Sequence, residues 1–192
     1  MGHRHSCIYD NPCMDCCICN LPSVFSHIMK RIGLISDTHG VFDQQFKDFL
    51  EPVDELWHAG DFGGGMDLAE ELAAFKPLKG VAGNCDNHSL RYIHPLHLFF
   101  ECEGLKILMT HIGGYPGRYD RKAFELIEQY RPDIFVCGHS HILKVVRDTK
   151  RDMLVLNPGA AGLQGFHLVR TALRFCLEDG RIHSMEVFEL DR

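Results

Sequence analysis

Residues 31–40, Arg-Ile-Gly-Leu-Ile-Ser-Asp-Thr-His-Gly, hold the pattern on which the fold turns. An apolar, β-rich run over 31–36 stops abruptly, and the loop 37–40 presents a carboxylate and an imidazole two residues apart. The same event recurs downstream at Gly60-Asp61, Gly83-Asn84, Thr110-His111 and Gly138-His139-Ser140-His141, each time at the end of a short apolar run. Amphipathic stretches over 43–50, 66–75 and 122–130 separate these runs, with Phe46, Phe49 and Leu50, then Leu68, Leu72 and Phe75, recurring at helical spacing. Strands alternating with helices predict α/β layers. The last fifty residues read mainly as antiparallel strands, with Glu178-Asp179-Gly180 as a hairpin turn.

Ligands of layered α/β proteins bind beyond the carboxyl ends of the strands, so the five strand-end turns are expected to converge on one rim. The glycines before Asp61, Asn84 and His139 permit tight or positive-φ turns that aim the next side chain inward. Carboxylate, imidazole and amide oxygen together suit divalent ions of the Mn, Fe or Zn kind. Asp37, His39, Asp61, Asn84, His111, His139 and His141 are too many donors for one catalytic ion that keeps a water position open. Two ions fit better, with Asp61 as the bridging carboxylate and roughly 3.5–4 Å between the metals.

The chain has 192 residues, 45% apolar and 24% charged, the balance of a globular protein with a sizeable core. Its formal charge of −6 offers no basic surface for an extended nucleic acid. No apolar run is long enough for a membrane span. Of nine cysteines, five fall in the first nineteen residues. Residues 1–28 show no useful periodicity and read as a cysteine-rich appendage outside the fold, with Met29 as the natural start of a domain over 29–192. The run Cys13-Met14-Asp15-Cys16-Cys17-Ile18-Cys19 lacks the two spaced ligand pairs of a small zinc module. The four remaining cysteines suit a reduced, cytoplasmic setting.

From Ile32 to about Gly159 these motifs resemble the calcineurin-like metallophosphoesterase superfamily, most closely its small YfcE-like phosphodiesterase branch. The resemblance implies a single-domain four-layer α/β/β/α sandwich. It implies one metal on Asp37, His39, Asp61 and His141, and another on Asp61, Asn84, His111 and His139. Manganese is the expected ion, with Zn, Fe, Ni or Mg as substitutes, and a metal-bridging hydroxide is expected to attack a small phosphodiester. Asn157-Pro158-Gly159 matches a turn that follows the last site motif in this family. The pattern departs at Cys85, which fills the slot where many relatives carry a proton-donating histidine, and at Gly113, where many carry a second histidine. Tyr115 and Arg118, on the glycine- and proline-rich loop after His111, can take over phosphate contacts, a guanidinium gripping phosphate bidentately.

The family also contains the non-catalytic scaffold subunit of the retromer coat, which has lost part of the ligand set; here the set is complete. A nuclease of single strands would need a basic groove that the charge does not favour. Outside the motifs, His58 either orients a ligand or sits in the core, and Asp86 is placed to cap the turn after Asn84. His94, His97, His167 and His183 have no partner motif, Gly63-Gly64-Gly65 reads as a mobile loop, and Trp57 reads as core. Oligomeric state is not encoded in any of these features.

Overall fold

The computed structural model describes residues 29–192, so the appendage assigned to residues 1–28 lies outside the described residues. The first half of the chain forms β1 (Lys30–Ile35), α1 (Gln44–Leu50), β2 (Glu55–His58), α2 (Met66–Phe75), β3 (Leu78–Gly80), α3 (His88–Ile93), β4 (His97–Cys102) and β5 (Leu105–Thr110). The second half forms β6 (Gly114–Tyr115), β7 (Arg118–Tyr119), α4 (Arg121–Tyr130), β8 (Ile134–Val136), β9 (Leu143–Asp148), β10 (Met153–Pro158), β11 (Val169–Glu178) and β12 (Arg181–Asp191).

Two five-stranded sheets result, ordered β12-β11-β1-β2-β3 and β4-β5-β8-β10-β9. Strands β1, β2 and β3 are mutually parallel, as are β5, β8 and β10, while the outer strands join antiparallel. Side-chain parity explains the stacking, because successive residues of a strand face opposite sides. Ile32, Leu34 and Trp57 of the first sheet meet Ile107, Met109, Ile134, Val136 and Leu156 of the second in a core between the sheets. The opposite face of the first sheet, with Ile35, Leu56 and Ala172, packs on Phe46 and Leu50 of α1, Leu68 and Leu72 of α2, and Leu90 of α3. Leu108, Phe135 and Val155, on the opposite face of the second sheet, pack on Ala123 and Ile127 of α4. The protein is therefore a single-domain four-layer α/β/β/α sandwich.

The turn at Asp179-Gly180 is a two-residue hairpin loop with both residues at positive φ, 48° and 70°, the primed turn that matches strand twist. Elements α3, β4 and the β6–β7 hairpin sit in stretches that sequence periodicity left unassigned, because each is six residues or shorter. Within the loop at residues 63–65, expected to be mobile, Gly63 is tied down while Gly64 is exposed. A Cβ on Gly63 would come 2.4 Å from the carbonyl carbon of His39, and the Gly63 N–H donates to Asp86 Oδ1 at 3.2 Å. Asp86 does not cap the following helix: its second oxygen accepts from Gly83 N at 2.8 Å, and Asn87 caps α3 through Leu90 N at 3.0 Å. Asn157 ends β10 and fastens the last site loop, its amide donating to Gly138 O at 2.8 Å and Ser140 Oγ at 3.1 Å.

Candidate metal centre

The five strand-end turns leave the carboxyl ends of parallel strands, three from the first sheet and two from the second, and backbone bonds sew the loops together. Asp37 N donates to Gly60 O at 2.9 Å, His39 N to Asp61 O at 3.1 Å, and Gly138 N to His111 O at 2.9 Å. Asp37, His39, Asp61, His139 and His141 all sit at positive φ, between 48° and 67°. Such conformations cost about 1–3 kcal/mol each and persist only where surrounding structure enforces them. The preceding glycines act differently from the expectation. Gly60 is at positive φ, but Gly83 and Gly138 are not; they are required because a Cβ would lie 2.0 Å from Asp61 Oδ1 and 2.0 Å from Ser36 Oγ respectively. The strain is carried by the polar residues, and two of the glycines supply close approach.

Each carboxylate has one oxygen tied down and one aimed inward. Asp37 Oδ2 accepts from Ser36 Oγ at 2.6 Å and from His139 N at 3.0 Å, while the buried Oδ1 faces His141 Nε2 at 3.1 Å. Asp61 Oδ1 accepts from Cys85 N at 2.8 Å, leaving Oδ2 3.2 Å from His111 Nε2. The histidines are held in matching tautomers. His111 Nδ1 lies 2.8 Å from the Ala59 carbonyl, to which it must donate, so Nε2 is the nitrogen turned toward Asp61, the Asn84 Oδ1 at 3.0 Å and Asp37 Oδ1 at 3.9 Å. His141 Nε2 lies 3.1 Å from Asp37 Oδ1, its ring is 5.4 Å from that of His39, and His39 Nε2 is buried without a hydrogen-bond partner. The His139 ring stands 5.2 Å from that of His111.

Oxygens of two carboxylates and an amide thus converge with imidazole nitrogens, an arrangement that a cation or bound protons would hold together. Burial opposes charge on His111, yet its contacts with Asp61 and the charges of Asp37 and Asp61 raise its pKa above the ordinary value. The hydrogen bond to Asp37 raises that of His141. Burial opposes ionisation of Asp61, but His111 and the Cys85 N–H hold its carboxyl well below the usual range. Three overlapping donor sets, Asp37-His39-His141, Asp37-Asp61-His111 and His39-Asp61-Cys85, have ligand atoms within 4.8 Å of one another. The residues fit divalent metal.

Two residues outside the ligand motifs position this centre: His167, which motif reasoning left without a role, and His58, expected either to orient a ligand or to sit in the core. His167 Nε2 lies 3.1 Å from Gly162 O and its Nδ1 lies 3.3 Å from His141 Nδ1; donation to the carbonyl leaves His167 Nδ1 to accept from His141, freeing His141 Nε2 for a ligand. No sequence pattern signals this, because residues 141 and 167 meet only through folding. Fully buried His58 accepts from Gly60 N at 3.1 Å through Nδ1, so Nε2 donates to Thr38 Oγ1 at 2.9 Å, which in turn donates to Phe62 O at 2.8 Å. Burial drives the His58 pKa down, in keeping with a neutral ring. It ties the Asp37-His39 loop to the Asp61 loop.

Cys85 is exposed, 3.3 Å from Asn84 Nδ2, and burial of its sulfur with the nearby Asp61 charge raises the thiol pKa. Tyr115 and Arg118 pair across the β6–β7 hairpin and line a cavity of about 330 Å³ that His139 and Ser140 also line. Gly113, where the resemblance led to the expectation of a histidine, has no space for a side chain: a Cβ would lie 2.5 Å from Cys137 Cβ. Among the described residues, no helix is long and apolar enough to cross a membrane.

A family model for the calcineurin-like phosphoesterase superfamily domain matches residues 29–180. The chain is 32% identical over 134 residues to a protein named probable metallophosphoesterase from Methanothermobacter thermautotrophicus, covering 67% of this chain and 76% of that one. Among solved structures, Vacuolar Protein Sorting 29 from Cryptosporidium parvum superposes with a TM-score of 0.59 at 20% identity, covering 85% of this chain and 99% of its own. Wild-type Vps29 complexed with Zn2+ from Entamoeba histolytica gives 0.57 at 21%, covering 84% and 98%. At these identities the structural likeness speaks to fold.

Proposed function

Because the chain belongs to the calcineurin-like phosphoesterase superfamily, we propose that it is a metal-dependent phosphoesterase that prefers small phosphodiesters and works with two divalent ions, manganese first among them. The observation that carries this is the convergence of ligand-type atoms: Asp37 Oδ1, Asp61 Oδ2, Asn84 Oδ1 and the Nε2 atoms of His111 and His141 face one another at 3.0–3.9 Å. Asp37, His39 and His141 would hold one ion, Asn84, His111 and His139 the other, with Asp61 between. When bound, such a pair supplies a hydroxide nucleophile near neutral pH and screens the phosphoryl charge.

The protein's own contribution is positional. Ser36 and the backbone N–H groups of Cys85 and His139 hold the carboxylates from behind, and the positive-φ loops prevent the donors from relaxing apart. Cys85 would occupy the proton-donor slot, and a thiol is a weak general acid, which favours diesters whose leaving group departs without protonation, such as a p-nitrophenolate. The test is Asp61→Ala, expected to lose bound metal and at least about 100-fold of Mn-stimulated turnover of bis(p-nitrophenyl) phosphate, given that both ions share this ligand. Undiminished turnover in that variant would refute the reading.

The second reading is a non-catalytic interaction scaffold, supported by the likeness in fold to proteins named Vps29. One of those is described with zinc bound, so metal content alone does not separate the two readings. Turnover does: a metal-loaded protein silent on diesters and monoesters alike supports the scaffold.

A further inference from the structure

The cavity beside the centre carries charge that the metal chemistry leaves unused. Arg118 of β7 and Lys144 of β9 line it together with His139 and Ser140, so the same space opens on a candidate metal ligand and on two cations. Neither cation has a carboxylate partner among the described residues. The Lys144 ammonium sits 3.7 Å from the centroid of the Tyr115 ring, which fixes its position without neutralising it. Asp120, the one carboxylate in the lining, spends Oδ1 on the N-terminus of α4, accepting from Lys122 N at 2.9 Å and Ala123 N at 3.2 Å. Ile142 and Val155 supply apolar wall, and the volume of about 330 Å³ is at the lower end for small-molecule sites.

A continuous polyanion is disfavoured by what lies across the hairpin. The neighbouring cavity, lined by Arg121, Arg147, Lys150 and Arg151, shares Arg118 with the first. Its other arginines are paired: Arg121 with Glu125, Arg147 with Asp152, and Arg151 with Glu128 and Asp148. Besides the shared Arg118, Lys150 is without a carboxylate partner there among the described residues, so both cavities carry unpaired charge, and the one that opens on the candidate centre is the one next to His139.

The geometry points to a subsite for a second phosphate: the substrate is a small phosphodiester one of whose alcohols carries an additional phosphate, gripped by Lys144 and Arg118 while the ester sits at the metals. This deepens the phosphoesterase reading and rests on it. The probes are two thymidines joined by one phosphodiester, bare or bearing a 5′- or 3′-terminal phosphate. Both kcat/KM with added Mn2+ and Kd by calorimetry are measured. One phosphorylated form is expected to be favoured at least about tenfold over the bare dinucleotide in both, the scale of a charge-assisted contact. Lys144→Ala and Arg118→Ala are expected to bring the ratio to within about threefold of one, whatever their effect on the bare compound. A wild-type binding ratio near one overturns the subsite and, if the bare dinucleotide is still cleaved, leaves the phosphoesterase reading standing. Selective binding lost in Lys144→Ala, with no cleavage of any probe, supports the subsite and counts against catalysis.

Discussion

At His141 the difference between a donor and an ornament is one proton. Its Nδ1 faces His167, whose other nitrogen is spent on Gly162 O, and this leaves Nε2 to face Asp37. Removing such an outer partner typically costs 10–100-fold in metal affinity. His167→Ala is expected to weaken metal binding by about tenfold or more in a competitive chelator titration while leaving the unfolding midpoint of the metal-free protein nearly unchanged, since His167 is only partly buried. A second residue-scale expectation concerns Cys85. Cys85→His places an imidazole in the position proposed for the proton donor, and general acid catalysis contributes about 10²–10⁴-fold. The gain is expected on esters with poor leaving groups, such as phenyl or alkyl esters, and not on p-nitrophenyl esters; equal effects on both would show that this position donates no proton. The polar residue types and their strand-end spacing made the seven donor positions legible in sequence. The tautomer of each histidine was not, because it depends on carbonyls contributed by residues tens of positions away.

Among the elements, β11 shows how a strand is locked to a helix of the opposite half. Arg170 is 3% exposed, donates to Ala161 O at 2.7 Å, and grips Asp43 at 2.7 and 2.5 Å, over the ring of Phe46. The guanidinium, together with its hydrogen bonds, holds the Asp43 carboxyl below its usual pKa. Asp43 occupies the capping position of α1 but makes no side-chain cap, because Arg170 has taken its carboxylate. Arg170→Met is expected to cost about 2–4 kcal/mol by urea unfolding, the range for breaking a largely buried hydrogen-bonded pair. The hairpin turn gives a cleaner case. Gly180 is at φ 70° and a Cβ there would meet nothing within 4 Å, so Gly180→Ala adds backbone strain without a clash and is expected to cost about 1–2 kcal/mol. Helices with a recurring apolar face and strands that end in a polar turn were readable from the sequence, whereas α3 and β4, which show neither, were not. The β6–β7 hairpin was not, since two-residue strands have no period.

For the whole molecule, ion binding and pH act on stability through named groups. If the centre binds metal in the native state alone, excess Mn2+ at about 100 times its dissociation constant adds about 2.7 kcal/mol, and the melting temperature climbs with metal concentration. A melting temperature indifferent to Mn2+ and to chelator would contradict a native metal site. Acid sensitivity is expected from Glu55, buried between Lys30 at 2.6 Å and Lys79 at 2.7 Å, with Trp57 Nε1 donating to it at 2.7 Å. Burial opposes its ionisation, but the two lysines and the indole prevail and lower its pKa. A lowered folded-state pKa means the stabilisation is complete above the ordinary value of 4.5 and is lost as pH falls through the folded value. The stability gap between the natural chain and Glu55→Gln, measured by urea unfolding, should therefore be constant near neutrality and shrink below about pH 4.5. The order of apolar runs, their polar endings and the helical spacing between them determined by themselves an α/β layering and the polar turns expected on one rim, because periodicity and strand-end chemistry are local properties of a chain; the four-layer arrangement came with the family resemblance. Which lone pairs face one another, that Lys144 stands beside His139, and that a net charge of −6 still leaves unpaired cations by the centre were decided only by the tertiary structure, because these follow from packing two sheets whose strands are distant in sequence.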